Sequence, residues 1–366
     1  MNLTNKHAII LIIAFILSIQ LFASLEKQSI AKKESTADAK EWINPYEKTR
    51  LQWQKSSFHL HSDEKFFSFY RHSAADIRKL YKENNFAIIS ISDYDVLTAD
   101  IPANKNFIPA YEWGTTPNKR HLLSIGSDNP IEDPFYIFST NENIQWAINE
   151  MRSRNSFVVI NHPNHYWGFD KKDLLSLSGF NAIEIYTPYG GDSEKEWDFL
   201  LAHGKKVNCM ASDDLHTFPA EFSKKLNEPI YKKIFRISSF FEGEDAGEVF
   251  MRYILLNTES LEKKDVMHSL FSGNYVCIRK YKRNLPDPKP ANIIFNAGKL
   301  TIESEDIAFK IDFIGQNGKI LQQVLSAKSA SYTLKANEPF VRANIYKWEG
   351  IISTNPVYNS EHYSKK

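Results

Sequence analysis

FHLHSDEKFF, residues 58–67, ends an apolar-aromatic run with two histidines one residue apart, His59 and His61. On a strand, residues i and i+2 project from the same face, so both imidazoles aim at one point. A single His-x-His decides little, because a histidine among aromatics is often a hydrogen-bonded core or surface residue. The pattern gains force by recurring along the chain. Asp93 and Asp95 follow the run FAIISIS, Glu112 follows FIPAY, His162 follows FVVIN, and Asp214 and His216 follow VNCMAS. Each time, the side chains able to do chemistry stand where a strand-like run stops.

Those runs alternate with amphipathic stretches between about residues 53 and 280, the order expected of an α/β fold. Helix ends are readable. Ser73 can cap AADIRKLYKENN with Asp76 in the first turn, Asn141 or Asn143 can open IQWAINEMRSR, and Gly204 fits the stop of SEKEWDFLLAHG. Past Pro286, Pro288 and Pro290 the period becomes two. AFKIDFI alternates Phe309, Ile311 and Phe313 with Lys310 and Asp312, Asn317-Gly318 offers a hairpin turn, and FVRANIYKW is a further strand. The chain therefore divides into a signal peptide or signal anchor (1–25), a polar linker (26–50), an α/β barrel (51–285) and a small C-terminal β-sandwich-like domain (286–366). In a closed β/α barrel the carboxyl ends of parallel strands share one rim, so residues distant in sequence can converge there.

With 366 residues, 42% of them hydrophobic and 24% charged, the chain is globular rather than disordered or polytopic. A net charge of +1 and the lack of a basic stripe remove the electrostatic case for nucleic acid. Residues 8–25, AIILIIAFILSIQLFASL, carry no charge and read as an export signal, either cut after Ala23 or retained as a membrane anchor. The expected location is periplasmic, extracellular or membrane-anchored and facing outward. Cys209 and Cys277 both lie in apolar strand-like runs, a setting that favours buried free thiols over the disulfide that export would permit.

Imidazoles and carboxylates without thiols suit zinc, manganese or iron, and Glu112 is the candidate bridge between paired ions. SDDLH, residues 212–216, is the most telling single stretch. Three acidic or imidazole side chains crowded at a strand end repel or stay unsatisfied unless a cation or a hydrogen-bond network compensates. G-x-S-x-G is absent, so no serine nucleophile is signalled.

The ordered set FHLHS, SISDYD, PAYEW, HLLSIG, NHP and SDDLH resembles the PHP family, named for polymerase and histidinol phosphatase, over roughly residues 53–280. The doubled Asp of SDDLH and the pair Glu112 and His121 are most similar to the branch containing carbaryl-type ester hydrolases. The resemblance implies a distorted (β/α)7 barrel with two or three divalent metal ions on its rim. It also implies hydrolysis of phosphate mono- or diesters, or in that branch of carboxyl or carbamate esters, on a small-molecule or envelope-derived substrate. Matched motif by motif, His59, His61, Glu112 and Asp214 hold one metal, and Glu112 bridges to a second bound by His162 and His121. His216 matches the histidine that holds a third ion in three-metal members. The family's TDH is here Ser92, Asp93 and Tyr94, so a phenol replaces a third-site ligand. Tyr94, His216 and Asp93 are the expected catalytic residues beside the ions.

Other residues carry blander readings. His72, His165 and His203 read as a helix-start, a loop and a helix-end histidine, while Asp63 and Asp93 either form turns or fix the histidine tautomers. Arg120 beside His121 could meet a substrate phosphate or be an exposed loop arginine. Two rival functions remain at this level: a catalytically silent binding module, favoured by Tyr94, and a C-terminal domain that selects the target through Tyr346 and Trp348. Alternating aromatics in a strand are, however, ordinarily core.

Overall fold

The computed structural model describes residues 42–47, 52–63, 72–98, 107–116, 118–134, 138–216, 218 and 249–363. Residues 1–41, which hold the expected export signal and most of the polar linker, and residues 219–248 lie outside them. Among the described residues, no helix is long and apolar enough to cross a membrane.

Among the described residues, sixteen strands form two sheets. The smaller holds β4 (Ala110–Trp113), β5 (Leu122–Ile125), β6 (Phe157–Ile160), β7 (Ala182–Tyr186) and β8 (Asn208–Ala211), paired in that order. The larger runs β1 (Trp42–Ile43), β16 (Val357–Asn359), β14 (Phe340–Tyr346), β15 (Gly350–Thr354), β10 (Tyr275–Lys280), β9 (Arg252–Thr258), β2 (Gln52–Ser57), β3 (Ile88–Ile89). To it β12 (Lys299–Ile314) is joined through β14, and β12 pairs in turn with β11 (Asn292–Asn296) and β13 (Ile320–Thr333). Single-residue parallel bridges, Leu60 with Leu215 and Tyr94 with Glu112, stitch the two sheets together just beyond β2, β3 and β8.

The small sheet is not the all-parallel arrangement expected of a barrel. β6, β7 and β8 are parallel, but β5 runs antiparallel to both β4 and β6. Among the described residues, helices accompany only some of the strands: α1 (Ala74–Glu83), α2 (Asn141–Ser153), α3 (Lys171–Ser176), α4 (Glu194–Ala202), α5 (Lys263–Ser272) and the short α6 (Ser360–Tyr363). Their caps follow local chemistry. The Ser73 side chain accepts from the Asp76 N–H as anticipated, whereas α2 is opened by Thr140, one residue before Asn141 and three before Asn143, the two asparagines proposed. Thr140 and Asn143 satisfy each other's backbone donors in a capping box, so Asn143 serves as the third residue of the cap rather than the cap itself.

The C-terminal strands extend the larger sheet rather than standing apart as a sandwich. β15 pairs with β10 along five residues, from Val276 opposite Thr354 to Lys280 opposite Gly350. The proline-marked connection is docked too, because Lys55 and Lys280 both grip Asp287, at 2.7 and 3.1 Å. Arg342 of β14 reaches across to α4, where its Nε and Nη2 each donate at 2.8 Å to the Asp198 carboxylate and its guanidinium lies over Trp197. The Asn317-Gly318 hairpin forms as read, with both residues at positive φ between β12 and β13.

Alternation along β9 and β10 explains why the two sheets cannot separate. Tyr253, Leu255, Val276 and Ile278 enter the core shared with α1 and the C-terminal strands. Ile254, Leu256, Tyr275 and Cys277 enter the other, with β4 to β8, α2 and α4. Both faces of this strand pair are therefore buried, and each fully buried large apolar side chain contributes about 1.5–3 kcal/mol. The same alternation turns Cys277 toward β8, where it forms a disulfide with Cys209 instead of the two free thiols expected. Apolar surroundings had argued for thiols; what overrides that argument is that the two runs are neighbours in space.

The crosslink closes a segment of 68 residues. Replacing both cysteines by alanine is expected to lower the free energy of unfolding by about 4 kcal/mol, the chain-entropy value for such a loop. Denaturant titration of the variant against the oxidised protein measures it, and a loss below about 1 kcal/mol would mean that packing alone sets the stability.

Candidate metal centre

One rim of the small sheet and the adjoining ends of β2 and β3 collect the predicted side chains. His59 and His61 leave β2, Glu112 lies on β4, His162 follows β6 and Asp214 follows β8. His121 precedes β5, and because that strand is reversed its start reaches the edge where its neighbours end. Register completes the alignment. Glu112 pairs with Leu123 and Ile160 with Leu122, which sets His121 between the carboxylate and the Asn161-His162 turn.

Two donor groups result, His59, His61, Glu112 and Asp214 in one and Glu112, His121 and His162 in the other, each with ligand atoms within 4.8 Å of one another. Glu112 belongs to both. Its Oε2 lies 3.0 Å from His61 Nε2, while its Oε1 lies 3.3 Å from His59 Nε2, 3.1 Å from His121 Nδ1 and 3.3 Å from His162 Nε2. Asp214 Oδ1 stands 3.1 Å from His59 Nε2 and 3.3 Å from His61 Nε2. All six residues are buried.

The donor set fits divalent ions. Glu112 Oε2, Asp214 Oδ1, His121 Nε2 and His162 Nδ1 are buried without a hydrogen-bond partner among the described residues, a costly state for polar atoms unless a cation compensates. Imidazole and carboxylate donors without thiolate suit zinc, manganese or iron. Backbone strain accompanies the geometry: His162 and Asp214 hold positive φ, 25° and 43°, conformations costing about 1–3 kcal/mol each that persist only where surroundings impose them.

Glu184, on β7, is the residue that sequence reading missed. Wholly buried, it accepts from His59 Nδ1 at 2.8 Å, from the His162 backbone N–H at 2.8 Å and from the Ser212 hydroxyl. One carboxylate thus orients three ligand-bearing segments and fixes the His59 tautomer with Nε2 toward the cluster. The signal was present as a lone acid inside the apolar run NAIEIY. Asn161, passed over as a turn residue, donates to Glu112 Oε1 at 2.8 Å.

The other predicted residues separate. Asp93 accepts from the Ser62 N–H and hydroxyl at 2.6 Å each and from Thr98 Oγ1 at 2.5 Å, and so holds the segment that follows His61. Tyr94 stacks on His61, ring centroids 4.8 Å apart, and meets His121 edge-on at 5.4 Å, forming a wall of the centre. His216, 17% exposed, lies outside both groups with Nδ1 3.5 Å from Asp214 Oδ1. Asp213 faces away, accepting from Tyr81 and from the backbone N–H groups of Phe250, Met251 and Arg252. Arg120 is engaged by Asp173, Asn141 and the Gly168 carbonyl and is a structural clamp rather than a substrate-facing cation. His72 accepts from the Phe218 N–H, and His203 bonds the Phe199 carbonyl within α4, consistent with their bland readings.

Charge follows the geometry. Burial opposes the His61 imidazolium, but the Asp214 and Glu112 carboxylates outweigh it and lift its pKa to about 9. His59, likewise buried, is raised by Asp214, Glu112 and Glu184. Burial dominates at His121 and His216, which are held down to about 4 and about 3. Burial alone would raise Glu112 and Asp214, yet the surrounding imidazoles keep both carboxyls below their usual range.

No family model matches the chain, and no curated protein matches it. Among solved structures, a two-domain protein containing a predicted PHP-like metal-dependent phosphoesterase, from Bacteroides vulgatus, aligns over 90% of this chain and 100% of its own, at 11% identity and a TM-score of 0.41. A likeness of that strength bears no weight, so the chemistry rests on the side chains themselves.

Two measurements check the centre. In the metal-free protein, His61 is raised above its unfolded value of about 6.5. Its stabilising charge is therefore fully present below that pH and is lost as pH climbs through about 9. Zinc must displace such protons, so calorimetry at pH 7 in buffers of different ionisation enthalpy should report net proton release and an affinity rising with pH; binding without proton release contradicts this electrostatic account. Glu184→Gln should weaken zinc binding by about 10- to 100-fold with an unchanged circular dichroism spectrum.

Proposed function

We propose that the protein is an exported metal-dependent hydrolase of PHP type acting on phosphate mono- or diesters. The observation that carries this reading is the sharing of Glu112 by two buried donor groups. His59, His61, Asp214 and Glu112 would hold one divalent ion, and Glu112, His121 and His162 a second. Bound there, such ions supply Lewis-acid polarisation of the ester and a water acidic enough to attack near neutral pH.

The chain's own residues do the rest. Glu184 and Asn161 hold the ligands in one orientation, so little reorganisation accompanies reaction. His216, partly open to solvent beside Asp214 and held neutral by burial, is placed to accept a proton from the attacking water. Tyr94 walls the opposite side against His61 and His121 and shields the reacting bond from bulk water. Lys119 supports an anionic substrate over the neutral carboxyl or carbamate ester of the carbaryl-type branch. It stands two residues before His121 of the second donor group.

Strands β2 to β8, linked by the two bridges, are the distorted barrel of this reading. The buried disulfide supports export, since such bonds persist in oxidising compartments. Residues 8–25 are then the leader or the anchor.

Purified protein loaded with zinc, manganese or iron should hydrolyse p-nitrophenyl phosphate or its diester and lose activity to a chelator. Glu112→Ala should lower turnover by about a thousandfold or more. Lys119→Ala should raise KM for the phosphate by about tenfold while sparing p-nitrophenyl acetate. Activity that survives both chelation and Glu112→Ala refutes the mechanism, and turnover of the acetate alone moves the assignment to carboxyl esters.

A further inference from the structure

The turn that carries His162 continues into two large aromatics held out in water, Tyr166 at 62% and Trp167 at 70% exposure. The turn is stiff. His165 N–H donates to the His162 carbonyl and Gly168 N–H to the His165 carbonyl, both at 2.8 Å, and Phe169 N–H returns to the Pro163 carbonyl at 3.0 Å. A Cβ on Gly168 would lie 2.6 Å from the Pro163 oxygen. One on Gly190 would lie 2.3 Å from the Asn164 carbonyl carbon, so the neighbouring loop packs backbone to backbone against the turn. Arg120 clamps the far side through the Gly168 carbonyl.

Trp167 itself sits at φ 58°, a left-handed conformation in which a bulky residue is an outlier. Exposure of an indole on strained backbone, on the turn that carries His162 of the donor cluster, calls for an occupant. The rings form a continuous series from the ligands outward. His162 meets His165 edge-on at 5.5 Å, His165 stacks on Tyr189 at 5.3 Å and 21°, Tyr166 meets His165 at 4.2 Å, and Trp167 follows Tyr166 at 6.1 Å. Tyr189 also lies 5.4 Å from His216.

We propose that Tyr166 and Trp167, backed by the His165 and Tyr189 stack, are the specificity wall of the site and hold a planar aromatic or heteroaromatic ring on the alcohol portion of an anionic ester. This rests on the reading of the centre as a metal-dependent hydrolase. The wall adjoins the second donor group through His162, and Lys119 supplies the charge that complements the ester's anionic end. Stacking discriminates flat rings from saturated ones of similar size, because only the former present a π-face.

The test uses the zinc-loaded full chain and two phosphonates alike in charge and bulk, benzylphosphonate and cyclohexylmethylphosphonate, with binding read by calorimetry and by tryptophan fluorescence. The benzyl compound should bind about tenfold tighter and quench fluorescence. In Trp167→Ala, and in Trp167→Asn, whose side chain tolerates the left-handed backbone, the ratio should fall to near one and the quench should vanish, with zinc stoichiometry unchanged. Equal binding of the two phosphonates by the wild-type protein, binding of neither, or a preference that survives both variants overturns the wall. Ring-selective binding without turnover of any ester leaves the wall standing and removes the hydrolase reading; turnover of benzyl and cyclohexylmethyl phosphates at equal kcat/KM does the reverse.

Discussion

Two ionised carboxylates, Glu112 and Asp214, face four imidazoles in a space closed to water, and the architecture of the rim answers to that one electrostatic fact. Buried charge of this density is tolerated only when opposite charge lies within a few ångströms. In the metal-free protein His59 and His61 meet part of the demand by holding protons. They do so imperfectly, because several nitrogen and oxygen atoms face one another without hydrogen-bond geometry. A divalent ion resolves the mismatch more completely than protons can, since it takes lone pairs from several directions at once.

The fold meets the requirement with a reversed strand and two strained residues. Reversing β5 lets a side chain from the beginning of a strand join those from the ends of its neighbours, so one edge gathers more donors than parallel strands alone would bring. Positive φ at His162 and Asp214 then turns two side chains inward where an ordinary strand exit would carry them away. Glu184 ties these choices together from beneath, bonding the His59 ring, the His162 backbone and the Ser212 hydroxyl.

Much of this was legible in the chain itself. Polar residues at the ends of apolar runs identified His59, His61, Glu112, His162 and Asp214, because a side chain's place at a strand end is a local property of sequence. What was not legible depends on partners far away. Asp93 and Asp213 look the same as Asp214 on paper, yet the first bonds Ser62 and Thr98 and the second bonds Tyr81 and residues 250–252. Arg120 became a clamp because Asp173 lies across from it, 53 positions on. Glu184 escaped notice because a lone acid in an apolar run reads as an edge or an error until the strand is known to be buried on both sides. The C-terminal strands read as a separate unit because their period changes at the prolines, while their pairing with β10 is a property of shape.

The alternation of β9 and β10 between two cores gives the disulfide a further meaning. Shifting β10 by one position against β9 would turn Cys277 into the wrong core and exchange the surroundings of every side chain in the pair. Cys277 meets Cys209 only when that pairing is correct and when β8, the strand leading to Asp214, already lies against it. The sulfur bond therefore works as a proofreading mark: a molecule that has closed it has assembled both layers in proper alignment, and a misaligned one cannot form it.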